Sequence, residues 1–162
     1  MKSFQQKLVH IIITVLQLCI HSSAIQPNII FILADDVGWS DFSYNVRDSP
    51  IQTPYIDSMA TRGVVLTQYY THSLCTPSRA ALLTGKYHIN TGLNFVLIPG
   101  SPAGLRDDMV TLPEILRLHA NYSTSMVGKW HLGHAQRKLT PIGRGFETFT
   151  GNINNNRQFS KK

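Results

Sequence analysis

The sequence predicts an α/β protein organised around a parallel sheet, and three observations carry that reading. Ile29-Ile30-Phe31-Ile32-Leu33 is an unbroken apolar run rich in β-branched residues, the pattern of a strand buried on both faces. Helix-start signals recur after it, at Thr53-Pro54, Cys75-Thr76-Pro77 and Thr111-Leu112-Pro113. A further strand-like run, Tyr122 to Val127, follows the last of these. Strands and helices therefore alternate, as crossover connections in a parallel sheet require.

Taken in order, the chain opens with basic Lys2 and Lys7, a largely apolar run from Leu8 to Ile20, and small residues at Ser22 and Ala24. This is the pattern of a signal peptide, residues 1–24, cut after Ala24. The run is shorter than the ~20 apolar residues of a spanning helix, so no stable membrane span is expected. Residues 25–149 read as the folded part. The first strand, Ile29 to Leu33, ends at Asp35-Asp36, and ligands of open α/β sheets bind at that end of the strands. The helix Tyr55 to Thr61 sets Ile56, Met59 and Ala60 on one side and stops at Gly63. Val64 to Tyr70 is a second strand. The helix opened by Cys75 stops at Gly85, and Gly92 to Gly104, with two prolines and three glycines, is loop. Thr111 with Glu114 three residues on forms a capping box for a helix to about Ala120. Tyr122 to Val127 is the third strand, with Gly128-Lys129-Trp130-His131-Leu132-Gly133 at its end. Residues 150–162 are polar and asparagine-rich without periodicity, the composition of a disordered tail.

Charge and cysteine content narrow the function. Removing Lys2 and Lys7 leaves 13 basic against 9 acidic residues, a net +4. That suits an anionic substrate, and no basic cluster resembles a nucleic-acid patch. Of two cysteines, Cys19 lies in the signal segment, so the mature chain keeps Cys75 alone. A lone cysteine in a secreted chain either pairs between molecules or carries its own chemistry.

Three groups of residues can carry chemistry. Asp35 and Asp36 are adjacent carboxylates that repel unless a cation neutralises them, and hard divalent ions take such oxygens; a turn or helix-cap pair is the alternative. Cys75 stands at a helix N-terminus, where unpaired N–H groups and the helix dipole alter a thiol, with Arg79 one turn on; a buried structural cysteine is the alternative. A cysteine phosphatase would need arginine at position 81, which is Ala81. Lys129 and His131 alternate at a strand end, which puts both side chains on one face. A lysine there can hold an anionic oxygen and a histidine can move a proton; a solvated polar pair is the alternative. Asn121-Tyr122-Ser123 is a glycosylation sequon, and Asn121 equally suits a left-handed turn between helix and strand.

The run Cys75-Thr76-Pro77-Ser78-Arg79 through Thr84-Gly85 resembles, position by position, the Cys-x-Pro-x-Arg-x-x-x-x-Thr-Gly signature of the type I sulfatases. Pro27 to Trp39 and Gly128 to Gly133 are similar to two further segments of that family. Leu74 to Arg79, Thr91-Gly92-Leu93 and Gly145 to Thr148 look like its arylsulfatase B group, which removes 4-sulfate from N-acetylgalactosamine in glycosaminoglycans. The resemblance implies the N-terminal part of an alkaline-phosphatase-like fold and a calcium-dependent, lysosomal or extracellular sulfuric ester hydrolase. It implies that Cys75 is oxidised to formylglycine by the formylglycine-generating enzyme. The hydrated aldehyde then attacks the sulfur of an aryl or carbohydrate sulfate. It implies Asp35, Asp36 and the modified Cys75 as metal ligands, Arg79 holding the diol, Lys129 binding sulfate, and His131 taking a proton. Phosphate-ester hydrolases of the same broad fold carry serine or threonine where this chain has Cys75. The family's remaining calcium and sulfate ligands lie beyond this sequence, so the 162-residue chain by itself is expected to be inactive.

Overall fold

The computed structural model describes residues 26–154 and the backbone of Ser160 and Lys161; residues 1–24, read as a signal peptide, lie outside the described residues. The chain divides into two units, Met1–Val37 and Gly38–Lys162.

The described part of the first unit, residues 26–37, contains no helix or strand. The predicted strand Ile29 to Leu33 is therefore not formed. Its side chains are exposed, from 42% at Leu33 to 86% at Ile30. A strand exists only through a hydrogen-bonded neighbour, and no described residue pairs with this run.

The second unit holds four α-helices among its described residues: α1 Pro54–Arg62, α2 Cys75–Thr84, α3 His88–Thr91 and α4 Leu112–Ala120. The three longer ones stand where the proline and capping signals predicted them. Asp57 of α1 collects the Ser43 hydroxyl at 2.6 Å, the Thr53 hydroxyl at 2.8 Å and the Tyr44 N–H at 3.1 Å. These donors, the Ser43 hydroxyl foremost, hold its carboxyl below the ordinary aspartate range. Gly85 ends α2 at φ 66°, its N–H donating to Ala81 O at 2.8 Å. The Thr111–Glu114 capping box is formed, with the Thr111 N–H donating to Glu114 Oε2 at 2.6 Å. Asn121 caps the other end of α4 in the left-handed conformation, φ 51°. The short α3 falls just before the predicted loop, whose residues from 93 onward carry no regular element.

The sheet is β1 Ser125–Lys129, β2 Thr148–Asn152 and β3 Ser160–Lys161, in that spatial order. β1 and β2 are parallel, with Ser125 opposite Thr148 and Lys129 opposite Asn152; β3 joins β2 antiparallel. The third predicted strand thus exists, displaced towards its C-terminal end. The second, Val64 to Tyr70, does not form, and residues 61–70 are all exposed. β2 was not anticipated: Thr150, Gly151 and Asn152 fall inside the segment read as a tail. Thr148 to Gly151 alternate exposed and buried, which is strand periodicity hidden by polar composition. Gly151 sits directly opposite Gly128, and a Cβ on Gly151 would lie 1.9 Å from Gly128 O. The strand pair closes at this point because position 151 carries no Cβ.

The core gathers Ala80 of α2, Leu93, Leu97, Leu105 and Met109 of the intervening loop, Trp130 and Leu132 after β1, and Phe149 of β2. Trp130 is wholly buried. Its indole N–H donates to Leu139 O at 2.8 Å and Gly133 O at 3.1 Å, and its ring meets Phe146 edge to face. The residue between Lys129 and His131 is therefore a core anchor.

Candidate active site

Cys75 is the first residue of α2, its thiol free and half-buried. Proline at the third helical position needs no intrahelical N–H bond there, so the helix starts at the cysteine itself. The next turn puts Thr76 and Arg79 on one side of the helix, since residues three apart are neighbours. Both are buried; Arg79 reaches the last residue of β1 and Thr76 the segment just after it. Thr76 Oγ1 donates to His131 O at 2.9 Å, and Arg79 Nη1 donates to Lys129 O at 2.5 Å. Two side chains of the cysteine helix thus grip the backbone on either side of Trp130. Bonds of this kind, one from a charged donor and the other buried, are among the stronger ones.

The strand geometry expected for Lys129 and His131 is corrected here. β1 ends at Lys129, and His131 has φ 62°, so the pair does not alternate along a strand. Lys129 is half-buried, whereas His131 is wholly buried, with Nε2 2.9 Å from Leu97 O. The backbone turns because Trp130 N and His131 N follow β2, donating to Asn152 O and Ile153 O at 2.9 and 3.0 Å. A left-handed non-glycine residue is uncommon and is held only where its surroundings fix it; here the bonds from Thr76 and to Ile153 and Leu97 do so.

Asp35 and Asp36 belong to the first unit. Both are exposed, and Asp36 has a left-handed backbone, φ 57°, which aspartate tolerates better than most residues. Their oxygens are the donor type that a hard divalent cation takes. Asn121 is exposed, as is Ser123, and β1 does not begin until Ser125.

Three further residues carry no motif of their own in the sequence, two of them tied to the candidate site and the third bracing the loop behind it. Thr76 occupies a variable place in the cysteine signature, and Leu97 acts through its peptide group. Arg144 is 2% exposed and donates to the carbonyls of Leu105, Arg106 and Met109 while its Nε lies 3.5 Å from Glu114 Oε1. It joins the loop that supplies Leu105 to the capping box of α4. Its flanking glycines were the available signal: a Cβ on Gly145 would come 2.5 Å from Glu114 N.

Comparison with known proteins gives these features a family context. A family model described as Sulfatase matches residues 27–162. Mouse arylsulfatase J is 49% identical over 129 residues, covering 79% of this chain and 21% of that protein. Human arylsulfatase A is 43% identical over 128 residues, covering 77% and 25%. Mouse N-acetylgalactosamine-6-sulfatase is 38% identical over 137 residues, covering 79% and 26%. Among solved structures, Ps i-CgsB superposes with a TM-score of 0.68 at 36% identity, over 80% of this chain and 28% of that one. The PsFucS1 sulfatase from Pseudoalteromonas sp. does so with 0.65 at 34%, over 75% and 25%. The chain spans about a quarter of the length of these proteins.

Proposed function

Because the chain belongs to the sulfatase family and carries part of its alkaline-phosphatase-like α/β fold, we propose that it supplies the nucleophile half of an arylsulfatase-like site for sulfate esters. The observation that supports this most is the double grip of Thr76 and Arg79 on the backbone of His131 and Lys129. It gathers the cysteine segment and the Lys-x-His segment at one helix N-terminus, where the dipole favours an anion.

In this reading Cys75 is oxidised to formylglycine in the secretory pathway by the formylglycine-generating enzyme. The hydrated aldehyde supplies one hydroxyl, which attacks sulfur as the ester S–O bond breaks and the alcohol leaves carrying the proton that hydroxyl gives up, and a second whose deprotonation restores the carbonyl and releases sulfate. Arg79 offsets the charge that builds at position 75. Lys129 holds a sulfate oxygen, and His131 accepts the proton of the second hydroxyl. Asp35, Asp36 and the modified Cys75 would hold Ca2+, whose charge lowers the pKa of a bound hydroxyl. The two carboxylates fit a hard cation, and with one further oxygen they make part of a shell of six to eight. That shortfall favours a second reading for the chain acting alone: a non-catalytic module that binds partners or the formylglycine-generating enzyme.

The substrate class proposed is an aryl or carbohydrate sulfate, with N-acetylgalactosamine 4-sulfate as the first to try. The similarity of Leu74 to Arg79 and Gly145 to Thr148 to the arylsulfatase B group supports it; the likeness to an N-acetylgalactosamine-6-sulfatase supports the sugar but not the 4-position. The signal-like residues 1–24 support delivery to the lysosome or the extracellular space, and Asn121 is the proposed glycan site. Among the described residues no helix is long and apolar enough to cross a membrane. The deciding experiment is peptide mass spectrometry of position 75 in the chain secreted from mammalian cells. An aldehyde there is the expected result; a thiol on every copy, with the enzyme co-expressed, sinks the reading.

A further inference from the structure

We infer that His131 exchanges its proton through Nδ1, and that Thr76 is the positioning residue that makes it do so. This rests on the proposed role of His131 as the proton acceptor, and it names the atom. A peptide carbonyl only accepts hydrogen bonds, so the 2.9 Å contact of His131 Nε2 with Leu97 O puts a hydrogen on Nε2. In the neutral ring the lone pair then sits on Nδ1.

The Leu97 peptide is itself held. Its N–H donates to Thr76 Oγ1 at 3.2 Å, and that hydroxyl donates its own hydrogen to His131 O at 2.9 Å. The hydroxyl, the peptide and the histidine close a ring in which each hydrogen bond fixes the direction of the next. Thr76 and His131 are wholly buried and Leu97 is 8% exposed, so water does not stand in for a lost member. Only a side chain that donates and accepts at once serves at position 76, and the hydroxyl of threonine or serine does that. When His131 takes a proton from a hydroxyl, the O–H pair stays on oxygen and the proton lands on Nδ1. The Nε2–H of the resulting cation keeps pointing at the Leu97 carbonyl, whose dipole suits the added charge.

The test is long-range proton–nitrogen NMR of the full chain labelled at histidine nitrogen, with Leu97 also labelled at its carbonyl carbon. His131→Gln identifies the resonance among the chain's 7 histidines. The wild-type chain is expected to show one tautomer at position 131, hydrogen on Nε2, exchanging slowly with solvent and coupled to the Leu97 carbonyl. Thr76→Ser keeps that signature. Thr76→Val, equal in shape and unable to bridge, loses the slow exchange and the coupling, with exchange roughly tenfold faster or more. Hydrogen on Nδ1 in the wild type overturns the inference without any variant having to fold. A valine variant identical to wild type removes Thr76 from it. Neither result depends on aldehyde formation at position 75, so a failure here is separate from a failure of the sulfatase reading.

Discussion

Replacing Gly151 by alanine is the sharpest test of how β1 and β2 hold the site. The new Cβ would stand 1.9 Å from Gly128 O, 2.7 Å from its C and 2.8 Å from its N, whereas real Cβ contacts essentially never fall under 3.0 Å. All three neighbours are backbone, so no side chain can swing aside. The strands must part by about 1 Å, one residue from Lys129, and forced repacking of that kind costs about 1–3 kcal/mol, here at the upper end. Gly128→Ala is the matched control. It too has positive φ, 123° against 154°, but a Cβ there meets nothing within 4 Å. Both variants bear the backbone cost of a side chain at positive φ, about 1–3 kcal/mol, and only Gly151→Ala bears the overlap. An extra 3 kcal/mol lowers the melting midpoint by roughly 6–12 °C in a chain of this size. Thermal unfolding followed by Trp130 fluorescence in a Trp39→Phe background reads this, because Trp130 is wholly buried and Trp39 is 58% exposed. Equal midpoints for the two variants would refute the close approach of the strands.

Four other outcomes are expected. Arg144→Met takes the ion-pair partner from Glu114 Oε1 and a donor from three carbonyls, and should cost about 3 kcal/mol in chemical denaturation; a change under about 0.5 kcal/mol would mean the arginine is not held as described. Asp57 is held below the ordinary aspartate range, so its contribution is complete above the unfolded value and is lost progressively as pH falls from there through the lowered folded one; amide exchange at Tyr44 should lose its protection over that window, and protection unchanged down through it would sink the assignment. The 162-residue chain alone should turn over aryl sulfate no faster than its Cys75→Ala variant; metal-dependent turnover lost in that variant would overturn this. In secretory expression, Asn121→Gln and Ser123→Ala should each remove the same single glycan, measured as an enzymatic deglycosylation shift; a chain that never shifts rules the site out.

Helices were legible because their signals are local. Proline after Thr53, Pro77 two residues past Cys75, and Thr111 with Glu114 each state a start within four residues, and Gly85 and Asn121 state an end. Strands were not, since a strand is a relation between distant segments. Ile29 to Leu33 has ideal composition and no partner among the described residues, while Thr148 to Asn152 has poor composition and pairs in register with β1. The candidate site of the second unit was readable as residue types, Cys75, Arg79, Lys129 and His131. Its geometry was not, because the ties run through backbone atoms: Arg79 to Lys129 O, Thr76 to His131 O, and His131 to Leu97 O.

That last tie bears on how such a chain can change over generations. Leu97 meets His131 through its carbonyl and Thr76 through its amide, so substitution at position 97 is limited by core packing alone, with proline excluded by the missing N–H. Length is another matter. One residue inserted or deleted between Leu93 and Leu97 slides a different peptide group into place and turns its dipole away from the ring. Pro99, Gly100 and Pro102, further along and exposed, are where new residues can be added without that displacement. Lineages that remodel this loop are therefore free to lengthen it on one side of Leu97 and bound to keep its spacing on the other.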